Sequence, residues 1–158
     1  MTDRQHAIDD ARWRKTQGLR LTDLRQSISA PERRQNSESI MRQLDGFVTP
    51  TPETIIRFYR PIKAEPNLLV WIKRLYRDGS RIALPVVETI NAPMAFREWT
   101  PYAPMQTGIW NIPIPSEGEM LVPTVVIAPV VGFDAAKYRL GNGGGYFDRT
   151  LAELISNK

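Results

Sequence analysis

The sequence predicts an α/β fold: a single domain whose mainly parallel β-sheet is flanked by helices on both faces. Residues 54–59 and 80–87 are rich in β-branched and apolar residues, and residues 65–77 between them carry apolar side chains at helical intervals. A strand, a helix and a second strand in this order form a βαβ unit with parallel strands. Residues 123–131 are a near-continuous apolar run, which is typical of a buried central parallel strand.

Two helices are expected before this core. Apolar and small side chains recur at helical spacing over residues 3–29, where Gly18 is the expected site of a kink or break. The segment from Ser29 to Glu32 has the spacing of a capping box and predicts the start of a second helix, which Gly46 would end. The predicted domain, residues 1–158, then consists of N-terminal helices at residues 3–46 and an α/β core at residues 54–158.

Composition excludes several classes of function. The chain contains no cysteine, so disulfides, thiolate zinc sites and cysteine nucleophiles are excluded. Its single histidine, His6, lies in a polar segment, which argues against a Ser-His-Asp hydrolase. Because no apolar run approaches membrane-spanning length and residues 1–6 lack a signal-peptide hydrophobic region, we expect a cytoplasmic protein with no membrane association. The net charge of +4 suits anionic ligands.

A glycine-rich loop follows the apolar run and precedes the last predicted helix, residues 146–155. Four glycines within residues 141–145 let the backbone approach a ligand closely, and free N–H groups at a helix start attract anions. Arg139 can bind phosphate oxygens in bidentate fashion, and Asp148 is a hard oxygen ligand of the kind Mg²⁺ takes. The pattern predicts a phosphate site; the alternative is a flexible glycine turn followed by a solvated Asp148–Arg149 pair. It matches neither the P-loop nor the dinucleotide fingerprint.

Residues 139–149 read Arg-Leu-Gly-Asn-Gly-Gly-Gly-Tyr-Phe-Asp-Arg and follow a strand end, Val-Gly-Phe-Asp, at residues 131–134. This stretch resembles the signature of the 5-formyltetrahydrofolate cyclo-ligase family, also called 5,10-methenyltetrahydrofolate synthetase. Residues 59–65 match the family's Tyr-x-Pro-x-x-x-Glu element at every fixed position, and the resemblance implies that Glu65 contacts folate. By pattern alone, Glu65 could instead lie at the start of a helix and stabilise it by interacting with the positive end of the helix dipole.

The resemblance is weaker in the N-terminal helices. Arg25 matches an arginine that the family carries before its second helix. In that register the family's phosphate-binding Lys and Arg fall on Arg14 and Gly18, so Arg14 and Lys15 are the expected phosphate contacts, with Arg20 a weaker one.

Two further departures concern the pterin pocket and the end of the domain. The resemblance places Trp110 in the pocket wall, although an aromatic residue beside prolines is more often core. Asn111 replaces a family glycine and Ile114 replaces an acid, whose role is not carried over. The family also continues with two more strands and a His-Asp pair whose Asp helps to hold the metal, and this sequence lacks them. We therefore expect a domain truncated at its C-terminus; the alternatives are a metal site completed differently and an inactive protein.

The resemblance implies ATP-dependent cyclisation of 5-formyltetrahydrofolate to 5,10-methenyltetrahydrofolate, with release of ADP and phosphate and with Mg²⁺ as cofactor. It implies charge neutralisation during catalysis by Arg139 and Arg149, and metal binding by Asp148. The residues expected to bind ATP are Arg14, Lys15, Arg139, Leu140, Gly141, Asn142, Gly143, Gly144, Gly145, Tyr146 and Phe147. Those expected to bind the reduced folate are Arg60, Glu65, Trp110, Asn142, Gly143, Gly144, Gly145 and Tyr146.

We expect a monomer that binds small molecules, and two alternatives stay open. One is another ATP- or anion-binding enzyme on the same scaffold, because Ile114 and the N-terminal mismatch could indicate a different substrate. The other is a non-enzymatic RNA-binding module, suggested by the charge and the aromatic residues. The aromatic residues lie mostly in apolar runs and do not alternate with Lys and Arg on one face, which argues against nucleic acid as the partner.

Overall fold

The computed structural model describes residues 3–141 and 145–156. Its helices are α1 (Asp3–Ser27), α2 (Ala30–Leu44), α3 (Leu69–Arg77), α4 (Tyr146–Ser156) and a short 3₁₀ helix (Ile109–Asn111). Its strands are β1 (Ile55–Arg57), β2 (Arg81–Val86), β3 (Ala95–Trp99), β4 (Met105–Thr107), β5 (Pro113–Pro115), β6 (Val125–Val126), β7 (Gly132–Phe133) and β8 (Arg139–Leu140).

The central sheet has the strand order β3-β2-β1-β6. Strand β1 pairs in parallel with β2 on one side and with β6 on the other, so that Ile56 lies opposite both Ile82 and Val125. Strand β3 pairs with β2 in antiparallel orientation. Two small antiparallel hairpins, β4–β5 and β7–β8, lie outside this sheet. The predicted mainly parallel sheet is confirmed.

Hydrophobic packing places helices on both faces of the sheet. On one face, Ile56 and Ile82 join Trp71, Ile72 and Leu75 of α3 in a buried cluster, with the end of α2 packed against it. On the other face, a smaller cluster contains residues of β2 and β3 and is covered by Leu154 of α4. Burying each large apolar side chain contributes roughly 1.5–3 kcal/mol, so the α3 face is the main source of stability.

The two N-terminal helices follow the predicted pattern with one correction. The expected break at Gly18 is absent, because α1 runs without interruption from Asp3 to Ser27. A Cβ placed on Gly18 would lie 3.9 Å from the carbonyl oxygen of Gly141, an ordinary van der Waals distance, so this part of α1 lies close to the start of the glycine loop. The start of α2 is confirmed: the Ser29 hydroxyl accepts a hydrogen bond from the Glu32 N–H at 3.4 Å.

The helix predicted at residues 65–77 begins four residues later than expected, at Leu69. Lys63 and Ala64 adopt left-handed backbone conformations, with φ of 47° and 60°, and form a tight turn where the helix was expected to begin. The side chain of Asn67 then accepts a hydrogen bond from the Leu69 N–H at 3.1 Å. The turn therefore replaces the first turn of the predicted helix.

The strand predicted at residues 123–131 pairs in parallel with β1, as expected, but the prediction that it is long, buried and central was wrong. Only Val125–Val126 forms a strand, β6, and both residues are half-buried at the edge of the sheet. Pro123 and Pro129 lack an N–H group and limit the hydrogen bonds that this run can make. Within residues 3–141 and 145–156, no strand pairs with the outer side of β6.

None of the described helices combines the length and the apolar character that crossing a membrane requires.

A buried indole links α2 to α3. The Nε1 of Trp71, whose side chain is buried, donates a hydrogen bond of 2.8 Å to the Asp45 carboxylate, which also pairs with Arg74. The indole hydrogen bond, followed by the nearby guanidinium, lowers the pKa of Asp45.

We predict that Trp71→Phe will lower the free energy of unfolding by about 2–4 kcal/mol, because it removes a hydrogen bond to a charged group and leaves a cavity. Urea unfolding followed by circular dichroism measures the change. The matched control is Trp13→Phe in α1, where the side chain is 62% exposed and the expected change is within about 0.5 kcal/mol. Equal effects of the two substitutions would contradict this interpretation.

Candidate functional site

The carboxyl ends of parallel strands meet at one edge of a sheet, where α/β proteins bind ligands. The segment that follows β1 contains Glu65, and the segment that follows β6 leads through the β7–β8 hairpin to the glycine loop. The two segments are joined by Arg25 of α1, which donates hydrogen bonds to the carbonyl oxygens of Lys63 at 3.0 Å and Val130 at 3.2 Å. The two candidate ligand-binding segments therefore lie at the same edge.

Glu65 is a buried carboxylate that closes a tight turn. Its side chain is 3% exposed, and its Oε2 accepts a hydrogen bond of 2.9 Å from the Ile62 N–H. Its own N–H donates to the Ile62 carbonyl oxygen at 2.9 Å, and its Oε1 lies 3.9 Å from Nη2 of Arg25. Because α3 begins only at Leu69, the interpretation of Glu65 as a charge at that helix start is wrong.

Arg57, a buried arginine within β1, was not among the site residues predicted from the sequence. The residue is 2% exposed, its Nη1 donates to the Ile127 carbonyl oxygen at 2.6 Å, and its guanidinium lies 4.1 Å above the ring centroid of Phe147. Burial lowers its pKa to about 9, an effect that Glu65 and Tyr59 oppose. The signal was available, since a lone charge inside the apolar run of β1 is unusual.

Tyr59 lies between this arginine and Glu65 in sequence. Its hydroxyl donates to the Pro66 carbonyl oxygen at 2.8 Å. Burial raises its pKa, and the nearby Glu65 charge raises it further. The residue therefore remains a neutral hydrogen-bond donor that holds the segment after the turn.

Several arginine side chains at the end of α1 and around β1 keep a buried nitrogen without a hydrogen-bond acceptor. Among the described residues, these nitrogens include Nη2 of Arg25, Nε of Arg57 and Nε of Arg60. A buried donor without an acceptor is costly, so this edge favours an anionic or acceptor-rich ligand. Arg60, a predicted folate contact, is half-buried here.

The base of the glycine loop is closed by an ion pair. Arg139 in β8 lies 3.6 Å from Asp148 in the first turn of α4. The Asp148 side chain is 85% exposed, which leaves its carboxylate accessible to a cation. Leu140, the other residue of β8, accepts a hydrogen bond at its carbonyl oxygen from the Val131 N–H at 2.8 Å.

The residues after the loop are held by aromatic contacts. Gly145 has a φ of 65°, and a Cβ there would lie 2.9 Å from Nη1 of Arg149. The Arg149 guanidinium is 4.8 Å from the ring centroid of Tyr146, whose hydroxyl accepts a hydrogen bond of 3.2 Å from the Asn91 N–H. Phe147 lies beneath the Arg57 guanidinium, so the predicted ATP contacts Tyr146 and Phe147 each pack against an arginine.

The described side chains could hold Mg²⁺ only if phosphate oxygens also bind the metal. Among the described residues, no group of three or more His, Cys, Asp or Glu side chains could hold a metal ion. Mg²⁺ is commonly bound by one or two carboxylates together with substrate phosphates and water. One accessible carboxylate, that of Asp148, beside a predicted phosphate loop meets that description.

Some predicted site residues make no contact with the described part of the loop, and others lie outside the described residues. Arg14 and Lys15 are exposed on α1, about one turn before the close approach at Gly18, and no described contact joins them to the loop. The side chain of Trp110 lies outside the described structure. The loop residues that also lie outside it are Asn142, Gly143 and Gly144.

We predict that Gly145→Ala will weaken ATP binding about tenfold or more, because alanine disfavours the left-handed backbone and its Cβ would displace Arg149. Calorimetric titration with ATP and Mg²⁺ measures the affinity. The matched control is Gly79→Ala, at a φ of 103° with no atom within 4 Å of the added Cβ, which should destabilise the protein without changing ATP affinity. Unchanged ATP binding by the Gly145→Ala protein would contradict the assignment of the loop.

Comparison with known proteins agrees with the sequence resemblance. Residues 9–158 match the sequence model of the 5-formyltetrahydrofolate cyclo-ligase family. The chain is similar to the 5-formyltetrahydrofolate cyclo-ligase of Haemophilus influenzae, with 25% identity over 81% of this chain and 72% of the relative. It is also similar to that of Mycolicibacterium smegmatis, with 29% identity over 84% of this chain and 73% of the relative.

Solved structures show the same similarity in three dimensions. The 5,10-methenyltetrahydrofolate synthetase of Aquifex aeolicus superposes with a TM-score of 0.74 at 28% identity, over 88% of this chain and 72% of that one. The synthetase of Mycoplasma pneumoniae superposes with a TM-score of 0.71 at 24% identity, over 92% and 80% of the two chains, and supports the fold. The protein described here is an enzyme, a ligase, and belongs to the 5-formyltetrahydrofolate cyclo-ligase family.

Proposed function

We propose that the protein converts 5-formyltetrahydrofolate and ATP to 5,10-methenyltetrahydrofolate, ADP and phosphate, with Mg²⁺ bound alongside the nucleotide. The family and its named relatives indicate cyclo-ligase activity. The observation that carries the proposal further is the shared edge of β1 and β6, where the Glu65 turn and the segment leading to the glycine loop meet through Arg25. A reaction between a folate and a nucleotide requires the two ligands to be adjacent.

The chemistry begins with the formyl oxygen, which is a poor leaving group. That oxygen attacks the γ-phosphorus of ATP, the terminal P–O bond breaks, and ADP departs. The N10 amine of the folate then attacks the activated formyl carbon and closes the ring. Phosphate leaves with the former formyl oxygen, and the N10 proton is lost, which gives the methenyl cation.

This sequence of steps needs no nucleophile from the protein, which accords with the residues present. Phosphoryl transfer depends mainly on positioning and on neutralising charge. In this proposal Arg139 and Arg149 offset the phosphate charge, and the N–H groups of the glycine loop hold the phosphate oxygens. Bound Mg²⁺, held by Asp148, would supply further charge neutralisation.

Glu65 is proposed to bind the folate through hydrogen-bond donors of the pterin ring. One carboxylate oxygen already accepts a hydrogen bond from the Ile62 N–H. The other lies 3.9 Å from Arg25 and can accept a hydrogen bond from the folate. A buried carboxylate that is fixed in this way discriminates strongly in favour of ligands with matching N–H groups. The folate-binding roles of Arg60, Trp110, Tyr146 and the loop residues Asn142, Gly143, Gly144 and Gly145 remain proposals of the same kind.

The direct test is near-ultraviolet absorbance of 5-formyltetrahydrofolate mixed with the protein, ATP and Mg²⁺. Growth of the methenyl chromophore that depends strictly on ATP is the expected result. Absence of the chromophore would contradict the proposal. ATP consumption with a different reduced folate, and none with 5-formyltetrahydrofolate, would instead favour an enzyme of altered substrate.

Thermal unfolding separates the proposal from the RNA-binding alternative. ATP with Mg²⁺ and folate should raise the melting temperature, because ligands that bind only the native state stabilise it. Stabilisation by RNA, with no response to ATP or folate, would favour the alternative.

We predict that Asp148→Asn will lower kcat about a hundredfold or more, because the amide binds Mg²⁺ poorly, while the urea midpoint of unfolding stays unchanged. The chromophore assay and urea unfolding measure the two quantities. Glu153→Gln removes an exposed carboxylate from the same helix and should leave kcat unchanged. Normal turnover by the Asp148→Asn protein would refute the metal assignment.

A further inference from the structure

We propose that Arg25 is a positioning residue that holds the Glu65 carboxylate in its folate-binding orientation by fixing the strained turn at residues 62–65. This inference rests on the proposed function, because it assigns a role in the folate site. It concerns a residue that lies on α1, far in sequence from the turn that it supports.

Arg25 contacts the turn at two points. It belongs to the last turn of α1, and its side chain is 13% exposed. Its Nε donates to the Lys63 carbonyl oxygen at 3.0 Å, and its Nη2 lies 3.9 Å from Oε1 of Glu65. A third contact, from Nη1 to the Val130 carbonyl oxygen at 3.2 Å, ties the same side chain to the segment before the β7–β8 hairpin.

The turn needs such support because of its backbone. Lys63 and Ala64 occupy the two central positions with φ of 47° and 60°, a conformation that usually selects glycine or asparagine. Left-handed backbone is disfavoured for residues with a Cβ, and it persists where surrounding contacts enforce it. Arg25 binds the carbonyl oxygen between these two residues, and therefore stabilises the conformation that presents Glu65.

The positive charge of Arg25 also stabilises the buried Glu65 carboxylate. Burying the Glu65 carboxylate is unfavourable without a nearby positive charge, and the Arg25 guanidinium supplies one from α1. Two of its nitrogens donate to backbone carbonyl oxygens, which favours a positioning role over direct contact with folate. Its Nη2, which has no hydrogen-bond acceptor among the described residues, is the group through which the competing role of direct ligand contact would operate.

The test is a double-mutant cycle in the chromophore assay. Arg25→Met should raise the KM for 5-formyltetrahydrofolate about tenfold and lower kcat less than about threefold, because the turn loses its external support. Adding Ala64→Gly should recover about threefold or more of that loss, since glycine adopts the left-handed conformation without strain.

Two controls isolate the mechanism. Lys137→Gly removes the backbone strain of a residue at φ 68° in the β7–β8 hairpin. In the Arg25→Met background this substitution should recover none of the lost folate affinity. Arg34→Met removes an exposed arginine from α2 and should leave the folate KM unchanged.

Failure of Ala64→Gly to recover folate affinity would overturn the positioning role and favour direct contact through Nη2. If the Arg25→Met protein does not fold, Arg25→Lys takes its place in the same cycle, and an equal folate KM with and without Ala64→Gly overturns the inference. An inactive wild-type protein would defeat the proposed function itself, and this result appears before any variant is made.

Discussion

The parallel pairing of β1 with β6 is the constraint on which the candidate site depends. Because the two strands run in the same direction, the chain leaves both of them at the same edge of the sheet. The segment after β1 turns sharply and buries Glu65, and the segment after β6 leads to the glycine loop and α4. Without this pairing, residues separated by about eighty positions would have no reason to share a site.

Buried positive charge connects the elements around this edge. Arg57 joins β1 to the chain after β6 and to the ring of Phe147, while Arg25 joins α1 to the turn and to the chain before the hairpin. Each arginine makes backbone contacts that fix geometry, and each also has a buried nitrogen for which the described residues provide no acceptor. An edge built in this way combines rigidity with a preference for anionic ligands.

Local patterns in the sequence predicted most of the fold. The βαβ unit and the cap at Ser29 each depend on neighbouring residues, so the sequence alone contains the signal. The phosphate-binding role of the glycine loop, which also comes from a local pattern, stays a prediction. The run at residues 123–131 was misjudged because apolar composition does not distinguish a central strand from an edge strand, and its prolines limited pairing. The late start of α3 depended on left-handed backbone at Lys63 and Ala64, which their residue types do not predict.

The roles of Arg25 and Arg57 could not be predicted, because their partners are distant in sequence. Arg25 contacts carbonyl groups 38 and 105 positions away, and Arg57 contacts one 70 positions away. Carbonyl acceptors carry no residue-type signal, so such contacts appear only once the chain is folded. The same holds for the ion pair between Arg139 and Asp148: their residue types were predicted to matter, but their contact is seen only in the folded chain.

In the proposed function, the site brings the formyl oxygen of the folate to the γ-phosphorus of ATP. Supplying 5-formyltetrahydrofolate with ¹⁸O in the formyl group, in unlabelled water, and analysing the released phosphate by mass spectrometry tests it most directly. We expect one ¹⁸O atom in each phosphate formed with the methenyl product. Methenyl product accompanied by unlabelled phosphate would contradict it, because the formyl oxygen would then leave by a route that does not involve ATP.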